Sequence, residues 1–294
     1  MDKSPTLNLR DLRRRFDKAA ERFDTADFVH AVTREGLFAR LDPVLVKAKN
    51  ILDLGSATGG ADHALRRRFR PEHIISLDVS RNMLRQSIRK RSGLRRLSFC
   101  RSSHIQADAS RLPLVDQSID FVFGNLLLPF VDHPDVVFKE VARVLTKGGV
   151  FAFATLGPDS LAEIGRAWNT VDDFSHVNVF PDMHDIGDAL VQSGLRDPVL
   201  DVDRLTIHYE DSAKLFTDLT NVGGRNTLQQ RNPSMVGRKR FEKMRATLME
   251  SQNNEGNGVD LGLELVYGHC WGAGARPNAT DYRIDASAIG WRRR

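Results

Sequence analysis

Ile51-Leu52-Asp53-Leu54-Gly55-Ser56-Ala57-Thr58-Gly59-Gly60 is the stretch on which the fold turns. The run NILDLG has strand composition and carries an acid, Asp53, near its end; a glycine-rich turn then leads into a helix-forming stretch over 60–69. Small residues in such a turn allow a ligand to approach the backbone, whose amides are expected to point outward toward it. In doubly wound sheets, ligands bind beyond the carboxyl ends of the strands where strand order reverses, which is where this turn belongs.

The same alternation continues outward. HIISLD (73–78) reads as a second strand, and VSRNMLRQSIRKR (79–91) as a helix with Ser80 placed to cap its start. Asp108, in IQADASRLPL, is expected to end a third strand ahead of a loop, and SIDFVFGN (118–125) is a fourth. PDVVFKEVARVL (134–145) is a helix expected to stop at Lys147-Gly148-Gly149, followed by the buried strand VFAFATL (150–156). Strands alternating with amphipathic helices imply a parallel sheet covered on both faces. Beyond it, MHDIGDALVQSGL (183–195) is a helix with a stop at Gly194, and DPVLDVDRLTIHYE (197–210) and GLELVYGHCWG (262–272) supply strands six and seven.

The expected organisation is an N-terminal helical cap over 1–42 and an α/β core over 43–210. A lid-like insertion over 211–258, the last core strand over 259–272 and a tail over 273–294 complete it. Within the insertion, QNNEGNG (252–258) reads as a turn, and Tyr282, Ile284 and Ala286 in the tail alternate like a short edge strand.

Composition narrows the possibilities. Hydrophobic residues make up 41% of the 294 and charged residues 28%, enough apolar content for a packed core. The cysteines, Cys100 and Cys270, form no C-x-x-C pattern, so neither a disulfide framework nor a cysteine zinc site is expected. No metal is expected. The first 23 residues lack the apolar stretch of a secretory signal, and no apolar run approaches the roughly 20 residues that cross a bilayer. The expectation is a soluble cytoplasmic chain. Basic residues number 43 against 38 acidic, a net +5, with arginines clustered at 13–15, 66–68, 85–91 and 95–96. These clusters read either as solvated helix faces or as a landing surface for an anionic partner.

The acids after the strands point to a nucleoside. Asp78 lies 25 residues beyond Asp53, where a ribose-binding carboxylate is expected. Asp108 stands where its side chain can accept from an adenine amino group, and Met83 either packs on the adenine face or belongs to its helix core. The dinucleotide pattern G-x-G-x-x-G is absent. With no pyrophosphate to cradle, the Asp53 carboxylate beside Gly55, Ser56, Ala57 and Gly59 suits a cationic amino-acid end instead. The segment Gly124-Asn125-Leu126-Leu127-Leu128-Pro129-Phe130 lacks a [DNS]-P-P-[YFW] box, and aromatics are only 7% of the chain, which disfavours a nucleic-acid partner.

The ordered motifs DLGSATG, SLDVS, ADASRLPL and FVFGNLLLPF over about 50–156 resemble the class I methyltransferases, with their Rossmann-like fold and S-adenosyl-L-methionine as cofactor. Alanine stands at position 57 where that family usually has glycine. Further segments extend the resemblance: FDKAAERFD (16–24), TLGPDSLAEIGRAW (155–168), VNVFPDMHDIGDALVQSG (177–194), LFTDLTNVGGRN (215–226) and LELVYGHCWG (263–272). Together they resemble the malonyl-acyl-carrier-protein O-methyltransferase family of biotin synthesis. The resemblance implies esterification of the free carboxylate of a malonyl thioester, carried by acyl carrier protein or coenzyme A. It extends to respiratory complex I assembly factors of the same fold, whose role is to modify or assemble a protein partner. A carboxylate is ionised already and calls for no general base, so the expected acceptor anchor is an arginine, Arg166 first and Arg225 second. Asn125 is placed to reach either the methionine end or the acceptor. Phe23 replaces the family's common tyrosine, retaining a hydrophobic wall and losing a hydroxyl.

Overall fold

A computed structural model describes residues 7–91, 100–229, 237–250 and 258–274. Strands β1 (Asn50–Leu54), β2 (His73–Asp78), β3 (Arg101–Gln106), β4 (Ile119–Asn125), β5 (Leu145–Leu156), β6 (Leu195–Tyr209) and β7 (Val259–Gly272) form a sheet in the order β3-β2-β1-β4-β5-β7-β6. Pairings are parallel from β3 through β5, and β7 runs antiparallel between β5 and β6. Strand order reverses between β1 and β4. A crevice therefore opens beyond Leu54 and Asn125.

The central strands are apolar throughout because both faces are covered. Successive side chains of a strand point to opposite faces, and the buried residues divide that way. Leu52, Leu54, Val122, Phe151 and Phe153 join one core with helices α5 (Pro134–Val144) and α7 (Met183–Gln192). Ile51, Phe121, Phe123, Val150 and Ala152 join the other with α2 (Phe28–Arg40) and α3 (Asp62–Phe69). The expected N-terminal helices are α1 (Leu9–Ala19), capped by Asn8 accepting from the Asp11 amide at 3.1 Å, and α2, with a short 3₁₀ turn over Phe23–Thr25 between them. Ser80 caps α4 (Arg81–Arg91) as expected, its hydroxyl accepting from the Met83 amide at 3.2 Å. Helix α7 stops as expected before Gly194, whose φ is +94°. Helices α6 (Ala162–Asn169), α8 (Ser212–Asn221) and α9 (Arg238–Glu250) form a third layer against the ends of β6 and β7.

One expected boundary is corrected. Helix α5 ends at Val144, ahead of Lys147-Gly148-Gly149, and Leu145 already lies in β5 with extended dihedrals. Leu145 is fully buried and pairs with Ile119, so packing draws it into the sheet; the register then shifts before Phe121. The two glycines accommodate that irregularity. Gly148 has φ +76°, and a side chain at Gly149 would meet the Asp120 carbonyl at 3.0 Å. The turn expected at 252–258, apart from Gly258, and the edge strand at Tyr282–Ala286 lie outside the described residues.

At the β5–β7 seam, Gly268 pairs with Phe153, and a β-carbon there would run into the Phe153 ring and Leu200. Gly268→Ala is expected to lower stability by about 1–3 kcal/mol through overpacking. Urea denaturation with an unchanged midpoint would show that the seam has room to spare.

Candidate active site

The turn after β1 is built by its own backbone. Gly55 and Gly59 have φ of +73° and +80°, the left-handed region that glycine enters freely. The amides of Gly55 and Ser56 donate to the Leu77 carbonyl at 2.8 and 3.0 Å, and the Ala57 amide donates to Asp78 Oδ2 at 2.9 Å. These three amides face β2, contrary to the outward orientation expected from the sequence. With no phosphate to hold, they bind the turn to the neighbouring strand. Ala57 sits at φ +45°, a conformation that costs an L-residue about 1–2 kcal/mol.

The other Asp78 oxygen accepts from the Ser80 amide at 2.8 Å. Burial raises the Asp78 pKa to about 6, with the two amide bonds pulling against it and Asp17 adding to it. Asp78 lines a cavity together with Met83, Asp108, Phe16 and Phe23. Asp108 Oδ1 is held by the Ser110 amide and hydroxyl at 2.9 and 2.7 Å. Met83 is buried against Ala19, Ala20 and Phe23, so it serves the helix core and the cavity wall at once.

A second lobe continues past Gly55 and Ala57 to Asp53, Ser56, Asn125, His30 and Arg34. Here Asp53 Oδ2, Ser56 Oγ, Asn125 Oδ1 and His30 Nδ1 are all buried with no hydrogen-bond partner. Buried polar atoms are normally paired, so four orphans around one lobe mark a place for a polar ligand. Two of them, the Asn125 oxygen and the Asp53 oxygen once ionised, accept only. An ammonium group satisfies such acceptors, and the Arg34 guanidinium in the same lobe suits a carboxylate. The donor set thus fits the amino-acid end of S-adenosylmethionine, with the Asp78 and Asp108 end left for its nucleoside. Burial, reinforced by the Asp62 and Asp78 charges and opposed by Arg34, pushes Asp53 up to about 8.

The N-terminal helices close this cavity. Asp17 of α1 accepts from the Ser80 hydroxyl and the Asn82 amide at 2.7 and 3.1 Å. Asp24 accepts from the Thr58 hydroxyl at 2.6 Å and pairs with Lys90 at 2.6 Å. Phe23 lies at the cofactor lobes, edge-on to His30 at 4.9 Å between ring centroids. It walls the cofactor side and does not line the larger cavity next door.

That cavity, of about 740 Å³, lies between the core and the α6, α8 and α9 layer. Its walls are mainly apolar and aromatic, with Phe28, Trp168, Tyr209, Phe216 and Phe241 among them, and Arg15 and Arg225 contribute positive charge. The acid in the lining, Asp218, is held by Lys214 at 2.8 Å. His176 stacks on Trp168 at 3.8 Å and bonds Asp172 at 2.7 Å.

Arg166 is not part of it. Its side chain is 72% exposed and reaches back to Glu163 at 3.4 Å. Ile164 and Trp168 of the same helix line the cavity. A residue two positions from each is turned by roughly 200° to the opposite face. Arg225, the second choice, does line the cavity. Sequence reasoning missed His30 and Arg34, since neither belongs to a motif; only their shared helix face, four residues apart, hints that they act together.

Comparison with known proteins agrees with this geometry. A methyltransferase-domain family model matches residues 52–153, the segment that carries the turn and its acids. A Methylovorus protein named malonyl-[acyl-carrier protein] O-methyltransferase is 39% identical over 268 residues, covering 90% of this chain and 89% of its own. One of the same name from Halorhodospira halophila is 34% identical and covers 98% of each chain. The chain belongs to the malonyl-[acyl-carrier protein] O-methyltransferase family. It is an S-adenosylmethionine-dependent methyltransferase. Among solved structures, the YcgJ protein of Bacillus subtilis shares the fold, with a TM-score of 0.58 at 16% identity, covering 81% of this chain and 97% of that one.

Asp53 at a pKa near 8 is protonated at neutral pH without ligand, and an ammonium partner requires it ionised. Cofactor binding is therefore expected to release a proton, and affinity to weaken by up to about tenfold per pH unit below that value. Calorimetry in buffers of different ionisation enthalpy measures the release; none, with a flat pH profile, would dissociate Asp53 from the ammonium. Ala57→Gly should relieve the positive-φ strain, raising stability by about 0.5–1 kcal/mol and leaving cofactor affinity equal or better. A loss of affinity in that variant would mean that the Ala57 methyl makes a useful contact.

Proposed function

We propose that the protein esterifies the free carboxylate of a malonyl thioester borne by acyl carrier protein, in the cytoplasm, as a step toward biotin. The observation that carries this reading is the union of two cavities. A lobe fitted to S-adenosylmethionine meets, across His30, Leu126 and Phe130, an apolar cavity with positive charge in its wall. An anionic group on an acyl chain is the acceptor that such a cavity suits.

S-adenosylmethionine, when bound, would supply a methyl on a sulfonium to a carboxylate oxygen that is already ionised, so no general base is called for. The chain's own work is alignment and exclusion of water. Asp53 and Asn125 would hold the ammonium, Arg34 the methionine carboxylate and Asp78 the ribose. Asp108 would accept from the adenine amino group, and Met83 would pack beside the ring. Gly55, Ser56 and Gly59 keep the turn narrow enough for that fit. Phe23 covers the cofactor. Arg225 receives the acceptor carboxylate, the role expected of Arg166. The layer of α8 and α9 acts as the lid over the acceptor.

The carrier protein is favoured over free coenzyme A by exposed bases near the cavity: Arg225 in its lining, and Arg240 immediately before the lining residue Phe241. An acidic carrier suits such a surface. Of the arginines at 66–68, Arg66 pairs with Asp62 at 2.9 Å and Arg68 with Asp42 at 2.8 Å, leaving Arg67 the most exposed of the three.

The decisive experiment incubates the pure protein with S-adenosylmethionine and malonyl-carrier protein; the carrier should gain the mass of one methyl group, and no gain would remove the reading. In the same assay Arg225→Ala should raise KM for the malonyl thioester about tenfold or more, the worth of a hydrogen bond to a charged group. Arg166→Ala should stay within about twofold, as surface substitutions do. The reverse order would return Arg166 to the site.

A further inference from the structure

His30 is the residue shared by the lining of the acceptor cavity and both lobes of the cofactor cavity. It stands, therefore, where a methyl group passes from one to the other. Phe23 meets its ring edge-on at 4.9 Å, and its backbone is held by the Asn125 side-chain amide, which donates to the His30 carbonyl at 2.9 Å. That bond ties α2 to the end of β4 across 95 residues of chain. Yet Nδ1 of this ring is buried with no partner. A ring so placed, and left unsatisfied, has a partner to meet that the chain does not supply.

We propose that His30 is a further catalytic residue, donating a ring N–H to the oxygen of the acceptor carboxylate that is not attacking, and so fixing the other oxygen on the line to the methyl. This inference rests on the functional reading above and assigns a second contact to the acceptor beside Arg225.

Charge supports the choice of residue. Burial, with Arg34 adding to it, lowers the His30 pKa to about 4, so the ring is neutral at physiological pH. A neutral imidazole carries one N–H donor and one acceptor nitrogen. It orients a carboxylate without placing another full positive charge beside a sulfonium, and it draws less electron density from the nucleophilic oxygen than an arginine in close contact. Arg225 then steers and retains the anion from the cavity wall, and His30 sets the angle of attack.

The test separates alignment from folding and from cofactor binding. His30→Leu keeps an apolar side chain of similar reach and removes the donor; kcat with malonyl-carrier protein should fall about 10- to 100-fold, the worth of one hydrogen bond to a charged group. Calorimetric affinity for S-adenosylmethionine should fall much less than kcat, since the lost bond goes to the acceptor and the other polar groups of the cofactor lobes are unchanged. His30→Gln, which restores an N–H donor, should recover most of the loss. Wild-type kcat in the leucine variant, a cofactor affinity falling in step with kcat, or a glutamine variant as slow as leucine would each overturn the proposal. Should neither variant fold, the unsubstituted enzyme gives the answer: the His30 ring ¹⁵N resonances should move when a malonyl thioester joins the complex with S-adenosylhomocysteine, and unmoved resonances overturn it. A wild-type enzyme that transfers no methyl to malonyl thioesters overturns the functional reading and this inference together; normal turnover with an indifferent His30→Leu overturns this inference alone.

Discussion

The Asp78 carboxylate accepts the Ala57 amide through one oxygen and the Ser80 amide through the other. Through the first bond it fixes the turn after β1; through the second it sets the start of α4. The Ser80 hydroxyl in turn donates to Asp17, which brings α1 down on the same spot. A carboxylate buried in this way is stabilised by hydrogen bonds to its charged form and penalised by lost hydration, and the upward shift of its pKa shows that desolvation prevails. The turn, the helix and the cap thus share one anchor, and the strained backbone at Ala57 is retained because its amide is needed there.

A second acid, Asp53, gives the cavity its polarity. It is buried at the end of β1, where Asp62 and Asp78 oppose its ionisation and only Arg34 favours it. Its unpartnered oxygen, with that of Asn125, leaves this lobe with buried acceptors that a cation would satisfy. Across the boundary the acceptor cavity has the opposite character: its acid is neutralised by Lys214, and Arg15 and Arg225 stand in its lining. The division suits a reaction that joins a cationic donor to an anionic acceptor. His30, neutral at the boundary, separates the two fields without adding to either.

The pieces that close over the core come from opposite ends of the chain. The N-terminal helices cover the cofactor side, linked to the turn and α4 through Asp17, Asp24 and Lys90. Helices α8 and α9, inserted between β6 and β7, cover the acceptor side with Phe216 and Phe241. The antiparallel β7 makes this arrangement possible, because an insertion between β6 and β7 leaves and re-enters the sheet at the end where the site lies. No helix among the described residues is long and apolar enough to cross a membrane.

The sequence by itself determined the elements and the cofactor side. Runs such as NILDL, HIISLD and VFAFATL are strands because strands buried on both faces must be apolar, and Asp53 and Asp78 fall at strand ends by spacing alone. Asp108, expected to end β3, lies beyond it: the strand stops two residues earlier at Gln106. Motifs spread through most of the chain carried the family as well. Tertiary structure decided what spacing does not encode. Arg166 belongs to a segment that resembles the family, yet the rotation of α6 that buries Ile164 and Trp168 turns it to solvent. His30 and Arg34 carry no motif, yet α2 packs against β4 and β5 and brings both into one lobe with Asp53 and Asn125. The Lys147-Gly148-Gly149 stop became a strand irregularity because Leu145 finds its burial in the sheet. Local sequence sets the period and the caps of an element; which face of it meets a cavity depends on packing against residues a hundred positions away.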